Sequence, residues 1–278
     1  MRVGINPLTE TRLPDRPHVL AAVITHLPNR SGYHARRFQV IQDCLASIRR
    51  TADLPLYIWD NGSDQDFRHW LVDEIQPEYL TLSRNIGKAS ARTAIFRSFP
   101  PGTVICMSDD DIYYEPDWLP AHLDLLAGFP NVGAVSGCPV RTGFRWGINS
   151  TVKWAEENAE LEVGRFISDR LDYEFCASIG RNYQHHLEMT REDRDYRIRY
   201  EGMVAYATAH HMQFVGLADR VSRIELWTNH AMRAEQTFDV AMDRAGMLRL
   251  TTTDRYTIHM GNIPEEEFAD ANIRVRVP

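Results

Sequence analysis

The stretch at residues 103–118 reads T-V-I-C-M-S-D-D-D-I-Y-Y-E-P-D-W, and it decides the predicted fold. It begins with a short apolar run at residues 104–107, which is typical of a buried strand in a mostly parallel sheet. Three consecutive aspartates follow, Asp109, Asp110 and Asp111. Adjacent carboxylates repel one another, so a fold that orders them needs a cation or hydrogen-bond donors beside them. Because ligand sites in open α/β sheets lie at the carboxyl ends of strands, we expect a ligand site here.

A solvated acidic turn is the alternative interpretation of the three aspartates. Pro116 and Trp118 follow the acidic loop as the start of a helix. A strand before the loop and a helix after it form the context that a ligand-binding loop requires, so this context favours a site over a turn.

The composition is that of an ordinary globular protein. The chain has 278 residues, of which 44% are hydrophobic and 25% charged, enough for one large α/β domain with a small elaboration. No apolar run of about 18 residues predicts a transmembrane helix, and the first residues lack the apolar core of a signal peptide. The formal net charge of -7 argues against nucleic acid as the main partner.

The cysteines favour a reducing compartment. The four of them contain no C-x-x-C pair, which argues against a structural zinc site. Cys44 lies in a helical pattern and Cys106 in the apolar run, so both are predicted to be small core residues. We therefore expect a cytoplasmic protein, with the periphery of the inner membrane as a second location.

Strand-like runs and helical patterns alternate through the first half of the chain. An extended arm is predicted at residues 1–17, which contain three prolines and no apolar periodicity. Strands are predicted at 18–25, 56–59, 79–82, 104–107 and 132–135, and helices at 38–50, 65–74 and 118–129. This order predicts parallel strands joined by right-handed crossovers.

Polar turns follow the second and third of these strands. The string Asp60-Asn61-Gly62-Ser63 ends the second strand, and its simplest interpretation is a turn in which Asp60 or Ser63 caps the next helix. After the third strand, Lys88 and Arg92 lie four residues apart near a helix start. Two cations there oppose the helix dipole, so we expect an anion beside them.

Two late segments carry further candidate residues. Glu235, Asp239 and Asp243 repeat at four-residue spacing and share one helix face, which is alternatively an exposed acidic stripe. His259 ends a predicted strand, a place where a lone histidine is more often structural than a ligand.

These motifs, in this order, resemble those of the GT-A glycosyltransferases, particularly the inverting enzymes of family two. The resemblance covers residues 18–136 well and residues 200–262 loosely. Asp109 and Asp111 stand where the family has its D-x-D element. The resemblance implies that Asp109 contacts the ribose or the metal, and that Asp111 binds the divalent metal that holds the diphosphate. Asp110 lies between them and is placed with the nucleotide-binding residues.

The same resemblance implies roles in donor binding. Thr25 ends the first strand, which lies beside the nucleotide in the GT-A pattern. Asp60 matches the aspartate that hydrogen-bonds the base, usually uracil. Asn85 and Arg92 match the family string N-x-G-x-x-x-A-R-N, and Lys88 is a further helper beside the diphosphate.

The catalytic base and the third metal ligand also follow from the resemblance. The family string E-D-x-x-L carries the base; Glu235 matches its glutamate, whereas Gln236 stands where the aspartate is expected. We therefore rank Glu235 first as the base and Asp239 second. Some GT-A enzymes take a third metal ligand from a histidine on a late strand, a place that His259 fits. Carboxylate oxygens with one imidazole suit Mn²⁺ or Mg²⁺.

Residues 137–199 are polar and irregular, and we interpret them as an insertion on the acceptor side. The pairs His185-His186 and His210-His211 are adjacent in sequence, so their side chains point apart on a strand and neither pair is expected to chelate a metal. Aromatic residues of the insertion are candidates for stacking on a sugar, although burial in the insertion's own small core is the favoured interpretation. The candidates are Phe144, Trp146, Trp154 and Tyr183.

The resemblance implies an α/β fold of the GT-A, Rossmann-like class, with a mostly parallel sheet flanked by helices. We divide the chain into the arm, a nucleotide-sugar-binding half at 18–136, the insertion, an acceptor and catalytic half at 200–263, and a tail at 264–278. The implied activity is metal-dependent transfer, with inversion, of a sugar from a UDP- or GDP-sugar to a hydroxyl. The acceptor is a glycan, a lipid-linked molecule or a small molecule.

Two other functions stay open at this point. A nucleotidyltransferase that makes a sugar nucleotide uses a similar sheet, with a Gly- and Arg-rich loop directly after the first strand. The loop here contains Arg30, Arg36 and Arg37, which either meet phosphate or are solvated loop charges. A nucleotide-sugar binding module without a catalytic base is the second alternative, and Gln236 favours it.

Overall fold

The computed structural model describes residues 18–224, 234–265 and 267. Three segments lie outside this part of the chain: the predicted arm at 1–17, the residues around Trp227 and most of the tail at 264–278.

Strands and helices alternate along the described residues. A π-helical turn, Leu71–Ile75, continues the second helix, and short 3-10 turns occur at Gly32–His34 and Arg141–Arg145. The strands are β1 (Val19–Thr25), β2 (Leu56–Asn61), β3 (Tyr79–Ser83), β4 (Val104–Asp109), β5 (Ile112–Tyr114), β6 (Val132–Ser136), β7 (Glu160–Gly164), β8 (Asp195–Tyr200), β9 (Met203–Tyr206), β10 (Gln213–Leu217), β11 (Leu248–Thr252) and β12 (Thr257–His259). The helices are α1 (Arg37–Thr51), α2 (Gln65–Trp70), α3 (Lys88–Arg97), α4 (Trp118–Gly128), α5 (Asn149–Asn158), α6 (Asp169–Ser178), α7 (Tyr183–Met189), α8 (Ala218–Val221) and α9 (Ala234–Arg244).

One large sheet organises the described part of the chain, in the order β3-β2-β1-β4-β10-β6-β11-β9-β8-β7. The first four strands are parallel, as predicted. β10 then runs antiparallel between β4 and β6, and β9, β8 and β7 form an antiparallel edge. A small second sheet pairs β5 with β12. The predicted α/β class, a sheet flanked by helices, is confirmed. The polar strand ends lie in the parallel part of this sheet.

Burial on both faces explains the continuous apolar runs of the central strands. Along β1, Ala21 and Val23 pack into one hydrophobic cluster and Leu20 and Ala22 into another, because successive side chains point to opposite faces. Helix α1 covers the first cluster and α3 covers the second. Cys106 of β4 is fully buried in the first cluster, as predicted.

Residues 137–199 contain more regular structure than their sequence suggests. They include α5, α6, α7 and β7, and β8 continues past residue 199 into the large sheet. A buried arginine holds this segment together: Arg141 donates from Nη1 to Asp172 Oδ2 at 2.9 Å and from Nη2 to the carbonyl of Ile167 at 2.6 Å. The short, half-exposed strand β7 lacks an apolar run, and the signal that could have revealed it is its alternation of polar and apolar residues.

The parallel topology brings polar residues to one edge of the sheet. Thr25, Asp60 and Asp109 lie at the carboxyl ends of β1, β2 and β4, which are neighbours. Among the described residues, no helix has both the length and the apolarity needed to cross a membrane.

Candidate active site

Asp109 and Glu235 share a cluster of opposite charges. Lys88 Nζ lies 2.8 Å from Asp109 Oδ2 and 2.9 Å from Glu235 Oε1. Arg92 Nη2 lies 3.5 Å from Asp109 Oδ1 and 3.9 Å from Glu235 Oε1. The two carboxylates are therefore anions that compensate the cations at the start of α3. The sequence predicted an anion beside these two cations, and these carboxylates already supply negative charge there.

The two cations differ in access. The Lys88 side chain is 43% exposed, so it can meet a ligand above the strand ends. Arg92 is 1% exposed; its guanidinium lies near the rings of Phe214 and Phe238 and donates to the carbonyl of His211 at 3.0 Å. Arg92 was predicted to bind the donor. In this structure it is buried and lies next to Asp109, so its binding of the donor stays a prediction.

Asp110 and Asp111 are bound by an arginine that precedes them by more than seventy residues. Arg37 donates to Asp110, to Asp111 Oδ2 at 2.8 Å and to the carbonyl of Gly261 at 3.0 Å. The His26 amide also donates to Asp110 Oδ2 at 3.1 Å. Burial raises the pKa of Asp110. In this structure Asp110 makes contacts that fix the loop, and its nucleotide-binding role stays a prediction.

Asp111 faces His259, and the pair has features of a metal site. Burial works to raise the pKa of Asp111, but the charges of His259 and Arg37 hold it below its usual value. His259 Nε2 lies 3.6 Å from Asp111 Oδ2. Asp111 Oδ1 is buried and has no hydrogen-bond partner among the described residues. A carboxylate oxygen without a donor, next to an imidazole, fits a hard divalent cation.

Ser178 sets the tautomer of His259. The Ser178 hydroxyl donates to the carbonyl of Phe175 at 2.7 Å, and its oxygen lies 2.8 Å from His259 Nδ1. Because the hydroxyl proton is already used, His259 donates through Nδ1, so the neutral form of the ring has its Nε2 lone pair free for a cation beside Asp111. Ser178 was not predicted from the sequence, since no motif marks a serine that supports a histidine 81 residues away.

The predicted three-residue metal set is not assembled. Among the residues that the structure describes, no three His, Cys, Asp or Glu side chains are close enough to hold one ion. Asp109 is turned to Lys88, whereas Asp111 and His259 stay together. Among the described residues, Asp111 and His259 are the pair that fits a divalent cation.

The carboxylates of α9 have separate environments. Glu235 is 29% exposed, and its Oε2 lies 3.4 Å from His211 Nε2. Burial alone would raise the pKa of Glu235, but the charges of Lys88, His211 and Arg92 hold it well below its usual range. Glu235 is therefore an ionised, partly exposed carboxylate that shares Lys88 with Asp109.

Asp239 is a poorer candidate for the base. Its side chain is 7% exposed; Oδ1 lies 2.7 Å from Arg249 Nη2 and Oδ2 lies 2.8 Å from His211 Nδ1. Asp239 thus orients His211, which in turn contacts Glu235. Asp243, expected to be solvated, is half-buried and accepts from the Ser150 amide at 2.6 Å. The three carboxylates of α9 therefore bind separate partners and do not form an exposed acidic stripe.

The residues predicted to hold the nucleotide base form a turn. Asp60 is fully buried and accepts from Arg68 Nε at 2.7 Å, from the Ser63 amide at 3.3 Å and from Thr25 Oγ1 at 3.4 Å. This is the capping and turn role that the sequence also allowed. Contact of Asp60 with a base stays a prediction, and it requires Arg68 or Thr25 to give up a hydrogen bond.

Asn85 supports the neighbouring loop. Its Oδ1 accepts from the Gly87 amide at 2.9 Å and from Asn61 Nδ2 at 3.3 Å. Gly62 has φ +94°, and a Cβ there would lie 2.7 Å from the Asn85 nitrogen. Only glycine therefore permits the two loops to approach each other, and Asn85 lies beside the site in this packing.

A cavity of about 480 Å³ opens beside His211 and Asp239. Residues of the insertion form its other walls. Trp146, one of the four aromatic candidates, lines it and is 44% exposed, whereas Phe144 and Tyr183 are buried and Trp154 packs against Phe129. Lining residues include Arg145, Trp146, Arg181, His186, His211 and Asp239.

Two residues at this cavity were missed by sequence reasoning. His211 was set aside because adjacent histidines point apart, a rule that excludes chelation but leaves each histidine free to bind separate partners. Arg249 of β11 reaches the carbonyls of Trp146 and Gly147 at 2.7 and 2.8 Å as well as Asp239. A buried arginine in a strand gives no pattern that reveals its partners.

Residues 33–212, more than half of the chain, match the model of glycosyl transferase family 2. The chain therefore belongs to glycosyl transferase family 2, and the predicted GT-A resemblance is confirmed at the level of the family. No match was found among curated proteins.

Solved structures that are similar to this chain include the following three. Residues 1–349 of TarS from S. aureus are 11% identical, with a TM-score of 0.48, covering 86% of this chain and 59% of that one. The mannosyltransferase PcManGT from Pyrobaculum calidifontis, solved with GDP-Man and Mn²⁺, is 26% identical over 46% of this chain and 36% of its own, with a TM-score of 0.33. GalNAc-T7, solved with UDP, GalNAc and Mn²⁺, is 10% identical, with a TM-score of 0.43, over 84% and 42%. The chain thus spans between 36% and 59% of these proteins.

Proposed function

We propose that the chain is a metal-dependent glycosyltransferase that moves a sugar from a UDP- or GDP-sugar to an acceptor hydroxyl with inversion. The observation that carries the proposal is the meeting of Asp109, Lys88 and Glu235 within ion-pair distance at the end of β4. The Asp111–His259 pair lies on the same acidic loop and on β12. Membership of glycosyl transferase family 2 supports the same reaction class.

The donor diphosphate is expected above the end of β4. Lys88 is the exposed cation there, and its contact with Asp109 and Glu235 fixes the ammonium in place. Asp111 and His259 would hold a divalent cation, Mn²⁺ or Mg²⁺. When bound, that cation supplies positive charge beside the diphosphate and stabilises it as a leaving group.

Glu235 is the residue placed to accept the proton of the acceptor. The acceptor oxygen forms a bond to the anomeric carbon while the bond from that carbon to the diphosphate oxygen breaks, and the electron pair leaves with the diphosphate. The hydroxyl proton passes to the Glu235 carboxylate, which is ionised in its ion pair with Lys88. Attack on the face opposite the leaving group inverts the configuration at the anomeric carbon.

The contacts of the loop after β1 disfavour the nucleotidyltransferase alternative. Arg37 is bound to Asp110 and Asp111, and the guanidinium of Arg30 stacks 4.1 Å from the centre of the Phe38 ring. Arg36 is paired with Glu267. These arginines have partners within the chain, so the loop does not present the open cationic surface that a triphosphate requires.

The position of Glu235 also favours an enzyme over a binding module. Glu235 is a partly exposed carboxylate beside the donor-side lysine, which is where a transferase needs its base. The replacement at Gln236 does not remove the base candidate, because Gln236 lines the cavity next to Asp239 and does not displace Glu235.

Donor turnover by the purified protein tests the proposal. We expect release of nucleoside diphosphate from a UDP- or GDP-sugar in the presence of Mn²⁺ and its loss with a chelator. Proton NMR of the product then gives the anomeric configuration, which should be inverted relative to the donor. Formation of a sugar nucleotide from a sugar 1-phosphate and a nucleoside triphosphate would instead establish the nucleotidyltransferase. Donor binding without turnover under any of these conditions would leave the binding module as the function.

A further inference from the structure

The cavity beside His211 and Asp239 has two arginines, Arg145 and Arg181, in its lining. We propose that this cavity binds the acceptor, and that the acceptor is a sugar carrying a phosphate or a carboxylate held by Arg181. This inference rests on the proposed glycosyl transfer, because it names the substrate class of the same site. Three separate features of the cavity support it.

Arg181 is the first feature, since its charge has no counterion in the described part of the chain. It lies on the loop between α6 and α7 and contacts neutral groups, the His186 imidazole and the Cys176 thiol. Among the described residues, no carboxylate is within ion-pair distance of its guanidinium. An exposed guanidinium at a cavity wall, with most of its N–H donors unused, is suited to bind a planar carboxylate or a phosphate through two hydrogen bonds.

Buried groups behind Arg181 orient it. His186 Nε2 lies 2.7 Å from Asp172 Oδ2, and the fully buried Asp172 carboxylate also accepts from Arg141. Because a carboxylate only accepts hydrogen bonds, His186 donates through Nε2, and its Nδ1 accepts from Arg181 Nη1 at 3.4 Å. The contacts from Asp172 through His186 therefore hold the guanidinium at the cavity wall.

The charge balance of the cavity is the second feature. Asp239 is the carboxylate on its wall, and both of its oxygens are bound, one by Arg249 and one by His211. Arg145, the other arginine of the wall, is matched by Asp193 at 2.6 Å. The positive charge of Arg181 thus remains uncompensated, in a chain whose formal net charge is -7. An anionic ligand supplies the missing charge.

The position of the cavity is the third feature. Its lining includes Asp239 of α9 and His211, which lies before β10, and His211 Nε2 lies 3.4 Å from Glu235, the proposed base. The exposed ring of Trp146 in the same lining offers an apolar face on which a sugar ring can stack. A sugar bound there presents a hydroxyl toward Glu235 and its anionic substituent toward Arg181.

Binding of three related probes to the full chain tests the inference. Glucose 6-phosphate, glucuronate and glucose are titrated by ligand-observed NMR in the presence of UDP and Mn²⁺. We expect one or both charged probes to bind at least about tenfold more tightly than glucose, the scale of one charge-assisted contact. Preference for glucose 6-phosphate identifies a phosphorylated acceptor, and preference for glucuronate a carboxylated one.

Variants at Arg181 separate a specific contact from general charge. Arg181→Gln should remove the preference for the charged probes, and Arg181→Lys should restore part of it. Arg191→Gln is the matched control, because Arg191 is a highly exposed arginine of the same insertion, away from the cavity wall, and its loss should leave the preference unchanged. Equal binding of charged and neutral probes by the unaltered protein, or a preference that survives Arg181→Gln, would overturn the inference. Binding of UDP with Mn²⁺ is measured in the same samples, so loss of donor binding, which concerns the proposed function, is recognised separately.

Discussion

The two sides of the candidate site are built in different ways. On the donor side, Thr25, Asp60 and Asp109 are brought together by the order of parallel strands, each at the carboxyl end of its strand. On the acceptor side, Arg141 and Arg249 tie segments from distant parts of the chain through backbone carbonyls and buried carboxylates. The donor side therefore depends on topology, and the acceptor side depends on single side chains.

This difference bears on the catalytic base, which lies where the two sides meet. Glu235 contacts Lys88 of the donor side and His211 of the acceptor side. Asp239 holds His211 and is itself held by Arg249. Substitutions at the meeting point should affect transfer, those within the acceptor side should affect stability, and those at the donor end should affect donor binding.

The largest effect is expected at Glu235. Loss of a positioned general base typically lowers the rate by about 10²–10⁴-fold, so Glu235→Gln should lose transfer by this factor and keep donor affinity. Steady-state transfer rates and calorimetry of UDP or GDP binding with Mn²⁺ provide the measurement. Loss of donor affinity together with rate would show that Glu235 acts on the donor through Lys88.

Two neighbours on α9 complete this test. Asp243→Asn is the matched control, because Asp243 binds the Ser150 amide and an asparagine oxygen can still accept that bond. It should retain wild-type transfer. Asp239→Asn should lower both stability and rate, since Arg249 loses its counterion. An inactive Asp239→Asn that is fully stable and binds donor, beside an active Glu235→Gln, would move the role of base to Asp239.

The next effect concerns the buried arginine of the insertion. Arg141→Met leaves the buried Asp172 without its cation, and breaking a buried ion pair typically costs about 3–5 kcal/mol of unfolding free energy. Arg49→Met removes an exposed arginine from a pair with Glu78 on the donor side, where about 1 kcal/mol or less is expected. Urea unfolding of both variants measures the difference. Equal losses would mean that both sides are held by similar contacts.

The parallel half of the fold and its polar strand ends were predictable from the sequence. The strands β1 to β4 are identified by their apolar runs and by the periodic helices between them. The order of these strands then places Asp109 at the carboxyl edge of the sheet. The position of β10 between β4 and β6 was not predictable, since its short apolar run fits either direction. The partners of Arg37 and Arg249 were also hidden, because a side chain that binds residues far along the chain leaves no local pattern.

A third effect concerns the pH dependence of stability, through a histidine of α4 that packs against β10. His122 of α4 is fully buried, donates from Nδ1 to the Trp118 carbonyl at 2.6 Å and contacts Gln213 of β10. Burial lowers the pKa of His122 to about 4. The unfolded chain binds this proton below about pH 6.5 and the folded chain does not, so stability should fall as pH falls from about 6.5 to 4, by at most about 3 kcal/mol.

Urea unfolding across this pH range measures the contribution of His122. His122→Gln should be less stable at neutral pH and should lose part of the decline toward acid, because the group that titrates has been removed. His69→Gln is the control, since His69 is exposed on α2 and should leave the decline unchanged. An identical decline in wild type and His122→Gln would show that other groups cause the acid sensitivity.

The smallest effect separates two adjacent aspartates of the donor side. Asp110 and Asp111 both bind Arg37, but only Asp111 lies beside His259 and keeps a buried oxygen without a hydrogen-bond partner among the described residues. Asp111→Asn should weaken Mn²⁺-dependent binding of UDP or GDP by at least about tenfold, or about 1.4 kcal/mol. Calorimetry with and without Mn²⁺ makes the measurement.

Asp110→Asn is the matched control for the metal assignment. It removes the same charge from the same loop and weakens the same contact with Arg37, so any effect that comes from the loop or from Arg37 should appear in both variants. Because Asp110 also binds the His26 amide and does not face His259, its loss should leave the Mn²⁺ dependence of nucleotide binding within about threefold of wild type. A tenfold loss in both variants would assign the effect to Arg37 and the loop. Wild-type binding by Asp111→Asn would show that the metal ligands lie elsewhere, and Asp109 would then be the next carboxylate to replace.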